Sequence, residues 1–392
     1  MSSPFTVTVR RLQIIVTGGA ARLLAALSSV ILSIVIVRTQ SSALWGEVVP
    51  FMLMIEFSFS LIGWGALPYL VQKFSLHPHQ IKSNWNQVTF SRSWLLLLLW
   101  ITIIFLSISP AIKISLIIWA TGRYVFQSFE PIAQVERNFL FSILMELSSI
   151  LFIAIPIVLA KAPLKVDTII FLFSASMVWK AGLSVIFFRH WISPRLPDLV
   201  YFREAFPFFL LTLSGMLQQR TDLYCVTYFL NDQDTAVYQV YFNFLIFCQF
   251  LSSLLLSPFA KNIFRLPVQS LRKLERKFIL AGIPLTLASV TAIWVMIRYF
   301  YHFELSWFMY ILGYFYILMF YQYLLRNYEM GKAYQQSTVA LYGFLGSAVN
   351  LVLCIILIPS FGKEGALLSG SVAQGMIVLL YYRTNIPTHD KR

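Results

Sequence analysis

Arg123, Gln127 and Glu130 recur at helical spacing inside the apolar stretch WATGRYVFQSFEPIAQ (119–134). Residues three and four apart share a helix face, so these side chains form one polar stripe, which Gln134 continues. A guanidinium in that stripe offers forked donors suited to phosphate or carboxylate. A carboxylate two turns further on can carry a proton or a cation. Three more cations lie in similar surroundings. Arg22 has Gly18, Ala25, Ala26 and Ser29 on its face, Lys180 lies between Ser176 and Ser184, and Arg220 sits in GMLQQRTDLY beside Gln218, Gln219 and Asp222. At the centre of a membrane helix each such charge costs roughly 2.5–3.5 kcal/mol, so each needs a wet interior or a partner. Both readings stay open here. In one, Arg22, Arg123, Lys180 and Arg220 line a cationic cavity together with Gln127. In the other, each cation pairs with Glu56, Glu130, Glu146 or Asp222 and pins helices together. Glu56, Glu130 and Asp222 are also the candidates for carrying a coupled proton or ion.

The elements that hold these residues are membrane helices. Of the 392 residues 58% are hydrophobic and 12% are charged, against about 25% charged in soluble domains, and the mean hydropathy is +0.74. A spanning helix needs about 20 largely apolar residues. Twelve segments meet that need: 12–37, 46–71, 93–109, 112–133, 139–160, 166–188, 205–230, 235–260, 278–300, 304–326, 335–358 and 364–383. The fold class expected is therefore an all-α polytopic membrane protein of about twelve helices in two six-helix lobes. The polar, proline-bearing run RHWISPRLPDLVYFRE (189–204) divides it, giving an N-terminal lobe at 1–188, a cytoplasmic linker at 189–204 and a C-terminal lobe at 205–392. A short echo between SSALWGEV and DQDTAVYQV, with Ala43 and Trp45 matching Ala236 and Tyr238, fits an internal repeat of the sort common in transporters.

The formal charge of +14 is unevenly spread. Cytoplasmic loops retain Lys and Arg, and one side collects Arg10, Arg11, Lys73, Arg92, Arg195, Arg276, Arg326 and Arg383 among others. The opposite side keeps only Arg38, Lys113, Lys161, Lys165, Arg298 and Lys363. Both termini are thus expected in the cytoplasm. The densest basic run, KNIFRLPVQSLRKLERKF (261–278), is expected to lie along the inner leaflet among anionic lipid heads. The basic surplus is a topology signal and no nucleic-acid footprint. Arg22 interrupts the first apolar stretch, which runs on to Val37 at spanning length, so no cleaved leader is expected.

Several classes of chemistry are not supported. There is no phosphate-binding G-x-x-x-x-G-K-[ST] loop, and the short connections leave no room for a soluble catalytic domain. Cys225, Cys248 and Cys354 fall within spans, implying neither a disulfide framework nor a metal site, and no cofactor is expected. Asp232 and Asp234 in LNDQDT are the one acidic pair a membrane-embedded polymerase or ligase could use, and they read as a polar turn.

Three junctions carry a family resemblance. IVRTQSSALWGEVVPFMLMIEFSFSLIGWGALPYLVQKF resembles the first hairpin of the polysaccharide-flippase branch of the MATE-like MOP superfamily, through Arg38, Gly46, Gly63 and Gly65. RTDLYCVTYFLNDQDTAVYQVYFNF looks like its helix 7–8 junction, with Asp222 entering the span and Tyr238 after the turn. NLVLCIILIPSFGKEGALLSGSVAQ is similar to its helix 11–12 junction, through Ile358, Pro359, Gly362, Gly365 and Ala366. The nearest group is the Wzx-type O-antigen flippases. That resemblance implies a non-enzymatic protein of the bacterial inner membrane. It would move a polyprenyl-diphosphate-linked oligosaccharide, with membrane lipids and other polysaccharide-assembly proteins as partners. Lipid II flippases of the superfamily usually have fourteen spans, and drug exporters tend to carry a carboxylate in helix 1, where this chain has Arg22. A cation-coupled exporter of small molecules shares the fold and is the alternative.

Overall fold

The computed structural model describes residues 4–256, 266, 268–333 and 335–384, and of residues 4–16, 22, 254, 255, 268, 331 and 332 it describes the backbone alone. Every regular element among the described residues is helical. In chain order these are α1 (Pro4–Thr39), α2 (Ser42–Gly63), α3 (Ala66–Leu76), α4 (Ile81–Phe105), α5 (Pro110–Val135), α6 (Phe139–Leu159) and α7 (Val166–Phe188). They are followed by α8 (Leu199–Phe229), α9 (Asp232–Leu256), α10 (Val268–Val295), α11 (Trp307–Lys332) and α12 (Gln336–Arg383). The chain forms two compact units, Met1–Thr212 and Leu213–Arg392, and α8 runs through the division.

Local chemistry sets the helix ends. The Ser41 hydroxyl accepts from the Leu44 N–H at 3.1 Å, and Asn138 Oδ1 accepts from the Phe141 N–H at 3.3 Å. Each cap satisfies one of the donors that a helix start leaves open. Ser109 caps α5 in the same way, with Pro110 at the first helical position, where its missing N–H costs nothing. The second apolar stretch breaks at Trp64 and Gly65, both left-handed, with φ of 41° and 64°. In the first unit α5 and α7 pack closely, because a Cβ added to Gly122 would lie 2.8 Å from the Met177 carbonyl carbon. Small residues let membrane helices approach in this way, and Ser174 Oγ uses the proximity to donate to the Ser115 carbonyl at 2.6 Å. An aromatic-rich core cluster in the unit includes Tyr69, Phe74, Trp85, Phe129, Phe188 and Tyr201.

In the second unit Tyr241 donates to the Met309 carbonyl at 2.8 Å, and Gln249 donates to that of Tyr316 at 3.2 Å. Helix α12 is broken at Gly362, whose φ of 56° and ψ of −134° are non-helical. Outward rows such as Leu98, Ile101, Ile104 and Phe105 on α4, or Leu144, Leu151 and Ile155 on α6, are exposed. Such rows face lipid. The protein is a multi-pass membrane protein.

By length and composition alone, eight helical stretches among the described residues can cross a bilayer. Helices α5, α8 and α9 are not among them, because polar side chains interrupt them: Arg123 and Glu130 in α5, Arg220 and Asp222 in α8, Asn243 and Gln249 in α9. Residues 336–383 form one of the eight and cover two of the segments expected from hydropathy. Boundaries also move. A span was expected to start at 93, with Arg92 ahead of it, whereas α4 begins at Ile81 and encloses Arg92. The basic run 261–278 likewise divides. Residues 261–265 and 267 lie outside the described residues, and from Val268 the chain is already helical.

Candidate binding site

A cavity of about 370 Å³ opens within the first unit, in the range of small-ligand sites. Two helices supply its polar walls. From α2 come Glu56, Phe59, Ser60 and Gly63, at the spacing of one helix face. From α5 come Arg123, Gln127, Glu130 and Pro131. The stripe read from the sequence therefore exists, and it faces Glu56 across the cavity. The α2–α3 break contributes Gly65 to Pro68, α4 contributes Arg92, and α8 contributes Thr212. A Cβ added to Gly63 would meet nothing within 4 Å, whereas one on Gly65 would lie 2.5 Å from the Phe209 backbone nitrogen. The first glycine keeps the cavity open, and the second lets the broken helix press against α8.

The two guanidinium groups are held by rings. Arg123 lies over Phe59, its Cζ 4.9 Å from the ring centre, and Arg92 lies 5.5 Å over Tyr124. Contacts of this kind stabilise a desolvated cation by about 2 kcal/mol. Arg92 is buried, and its Nη2 donates to Ser128 Oγ at 3.2 Å. Ser128 Oγ in turn donates to the Tyr124 carbonyl. Two forked cations and two carboxylates thus border one small space. The cations can receive an anionic group. The carboxylates can take up a proton or a cation as that group enters or leaves.

None of the other expected site residues whose side chains are described lines this cavity. The Arg22 side chain falls outside the described residues. Lys180 on α7 is 3% exposed, bonds Glu146 of α6 at 2.8 Å and lies 4.9 Å over the Phe126 ring. It does not line the cavity. In the second unit Arg220 donates to Asn243 Oδ1 at 3.1 Å, and the buried Asp222 accepts from the Tyr238 hydroxyl at 2.5 Å. Asp234 stands in the first turn of α9, where a polar turn was expected: its N–H donates to Asn231 Oδ1, and its carboxylate meets the Lys363 ammonium. Among the described residues no group of His, Cys, Asp and Glu could hold a metal ion, and the three cysteines are free and buried.

Arg92 is the site residue that sequence reasoning missed. The segment that holds it, IKSNWNQVTFSRS (81–93), is polar and reads as a loop. Its polar groups are used on the linker instead. Asn86 donates to the Trp191 carbonyl at 2.8 Å and accepts from the Ser193 N–H at 2.7 Å. Ser91 accepts from the Asp198 N–H at 2.8 Å, and Lys82 donates to the His190 carbonyl at 2.7 Å. Trp64 Nε1 donates to the Phe202 carbonyl at 2.9 Å, and Glu204 accepts from Tyr69 at 2.6 Å and pairs with Lys73 at 2.9 Å. The Tyr69 hydroxyl, with Lys73 beside it, holds the Glu204 carboxyl below the usual carboxylate range. Segment 189–204 is thereby fastened along the first unit. A signal for Arg92 did exist: Trp85, Val88 and Leu96 stand at i−7, i−4 and i+4 from it, an apolar face continuous through the supposed loop.

No known family profile matches the chain, and no curated protein sequence does. Solved structures do resemble it. An inward-facing multidrug resistance MATE family transporter of the MOP superfamily superposes with a TM-score of 0.62 at 10% identity, over 91% of this chain and 92% of that one. The fold is MATE-like. A lipid II flippase MurJ in an inward closed conformation gives a TM-score of 0.49 at 16% identity, over 96% of this chain and 86% of its own. A eukaryotic MATE transporter gives 0.47 at 13% identity, over 96% of both chains.

Proposed function

We propose that this protein is a flippase that carries a polyprenyl-diphosphate-linked oligosaccharide, an O-antigen or related surface-polysaccharide unit, from the cytoplasmic to the outer leaflet of a bacterial inner membrane by alternating access. The observation that carries this reading is the pairing of Arg92 and Arg123 on one cavity in the first unit. A diphosphate cannot cross hydrocarbon unaided, because each unpaired polar group costs several kcal/mol there. Forked guanidinium donors replace the water it loses, while Gln127 and Ser60 offer partners for sugar hydroxyls. The cavity suits the charged head and its first sugar, and the prenyl tail stays in the bilayer. The MATE-like fold supports a transporter. In this reading the chain spans the membrane twelve times, as 1–188 and 205–392 joined by a cytoplasmic linker at 189–204, with both termini cytoplasmic. Glu56, Glu130 and Asp222 are the groups assigned to coupling. Arg22, Lys180 and Arg220 keep an assignment to the substrate path, with Lys180 in second place because it is already paired. Other polysaccharide-assembly proteins are the expected partners.

A second reading has an observation of its own. Glu56 and Glu130 border the same cavity, and a solved structure that resembles this chain with a TM-score of 0.62 is named a multidrug resistance transporter. A cation-coupled exporter of small molecules would use these carboxylates as the primary binding groups. One experiment separates the two. The purified chain is placed in liposomes containing a lipid-linked oligosaccharide, and the leaflet occupied by the sugar is followed over time. Translocation that is lost in Arg123→Gln and in Arg92→Gln supports the flippase. Export of small cations under a proton or sodium gradient, without sugar translocation, supports the exporter.

A further inference from the structure

We propose that the first turns of α10 form a binding surface for the headgroups of anionic phospholipids. Four cations there, Arg272, Lys273, Arg276 and Lys277, are exposed. The opposite face carries Leu271, Leu274 and Phe278, packed with Leu256, Leu324 and Leu325. Positions 272 and 276, like 273 and 277, are four apart, so like charges stack along one side of the helix. Such pairs destabilise a helix unless an anion sits against them.

The nearby acids do not supply that anion. Glu275, the one carboxylate within this turn, is 7% exposed and points inward. It accepts from Arg326 Nε at 3.1 Å and from the Tyr382 hydroxyl at 2.9 Å. Glu329, also buried, is bonded to the same Arg326 at 3.3 Å. Both local carboxylates are therefore satisfied from within, and none of the four outer cations forms an ion pair among the described residues.

Tyr382 fixes the depth of the surface. It is 45% exposed, its ring lies under Arg326 at 4.9 Å, and its hydroxyl reaches Glu275. A half-exposed tyrosine bonded to a polar group belongs at the membrane–water boundary. Arg383, the next residue, is exposed as well. Cations at that level meet lipid phosphates directly, and the attraction there is worth about a fivefold change in affinity per Lys or Arg. This surface lies in the second unit and is independent of the cavity.

The test uses the full-length protein purified in detergent and supplemented with phosphatidylglycerol or phosphatidylcholine, with bound lipid counted by native mass spectrometry. Phosphatidylglycerol is expected to be retained preferentially. Binding should weaken about 25-fold in R272Q/K273Q and again in R276Q/K277Q, from about fivefold per charge. Lys161→Gln with Lys165→Gln, exposed cations elsewhere, should leave it unchanged. Retention should also fall as salt rises. Equal retention of the two lipids, double variants that bind like wild type, or displacement of the lipid by soluble glycerol phosphate at matched concentration would each overturn the proposal. The last outcome would make the surface a general anion site.

Discussion

Replacing Lys180 by Met should destabilise the protein by about 3 kcal/mol, and replacing Glu146 by Leu in the same chain should restore most of the loss. The pair joins α6 to α7 at 2.8 Å, with side-chain exposures of 4% for Lys180 and 13% for Glu146. Removing one partner leaves a charge with neither water nor counter-ion, which costs about 3–5 kcal/mol in buried pairs. The lower end applies, because Glu146 retains some exposure and an unfolded chain in lipid finds other partners. Swapping both for apolar groups of similar volume removes the attraction and the desolvation together, and is often neutral. Neighbouring bonds, Ser149 with Ser176 at 2.5 Å and Trp179 to Ser148 at 3.3 Å, hold the two helices in register in every variant. The assay is a double-mutant cycle on thermal or denaturant unfolding in detergent, with sugar translocation measured alongside. A double variant as unstable as the sum of the singles would refute the pairing argument. A stable double variant that no longer translocates would return Lys180 to the substrate path.

Gly65→Ala should be strongly destabilising. A left-handed backbone costs an L residue roughly 1–2 kcal/mol, and the new Cβ would lie 2.5 Å from the Phe209 nitrogen. Gly63→Ala, with nothing within 4 Å, should be neutral or slightly stabilising in the same unfolding assay. Asn86→Ala should speed tryptic cleavage after the exposed Arg195, because two of the bonds holding 189–204 vanish; an unchanged cleavage rate would mean that the linker is held by its aromatic side chains instead. Glu204 has a folded pKa below its unfolded one, so its stabilising contribution is present above the ordinary carboxylate range and is lost as pH falls through the lowered value. The melting temperature should therefore drop more steeply on acidification in wild type than in Glu204→Gln.

The helical, membrane-spanning nature of the chain was legible from composition, because lipid demands long apolar runs and leaves few ways to satisfy the backbone. The stripe of Arg123, Gln127 and Glu130 was legible too, since helical spacing is local information. The wall opposite was not. That Glu56 and Phe59 face Arg123 depends on how α2 and α5 meet, and residues almost 70 positions apart carry no local sign of it. The partner of Lys180 was one candidate among four until packing chose Glu146. Hydropathy hid Arg92, because Asn86, Gln87 and Ser91 look like loop residues when they are helix residues serving the linker, Asn86 and Ser91 at its backbone and Gln87 at the Asp198 side chain. The same averaging placed Arg326 at a helix end, although it bonds Glu275 and Glu329 inside the second unit.

The break at Trp64 and Gly65 also sets a depth. An unbroken helix over Ser42–Leu76 would be about 52 Å long at 1.5 Å per residue, far more than the roughly 30 Å of bilayer hydrocarbon. The 22 residues of α2 measure about 33 Å, one bilayer thickness, so the break falls where hydrocarbon gives way to headgroups. Gly65 to Pro68 then mark the mouth of the cavity at that boundary, and Glu56, some two turns below, lies about 13 Å inside it. Arg123, over the Phe59 ring, is level with a residue about 9 Å inside that mouth, so a group entering there would have to move inward, away from the headgroups, to reach it.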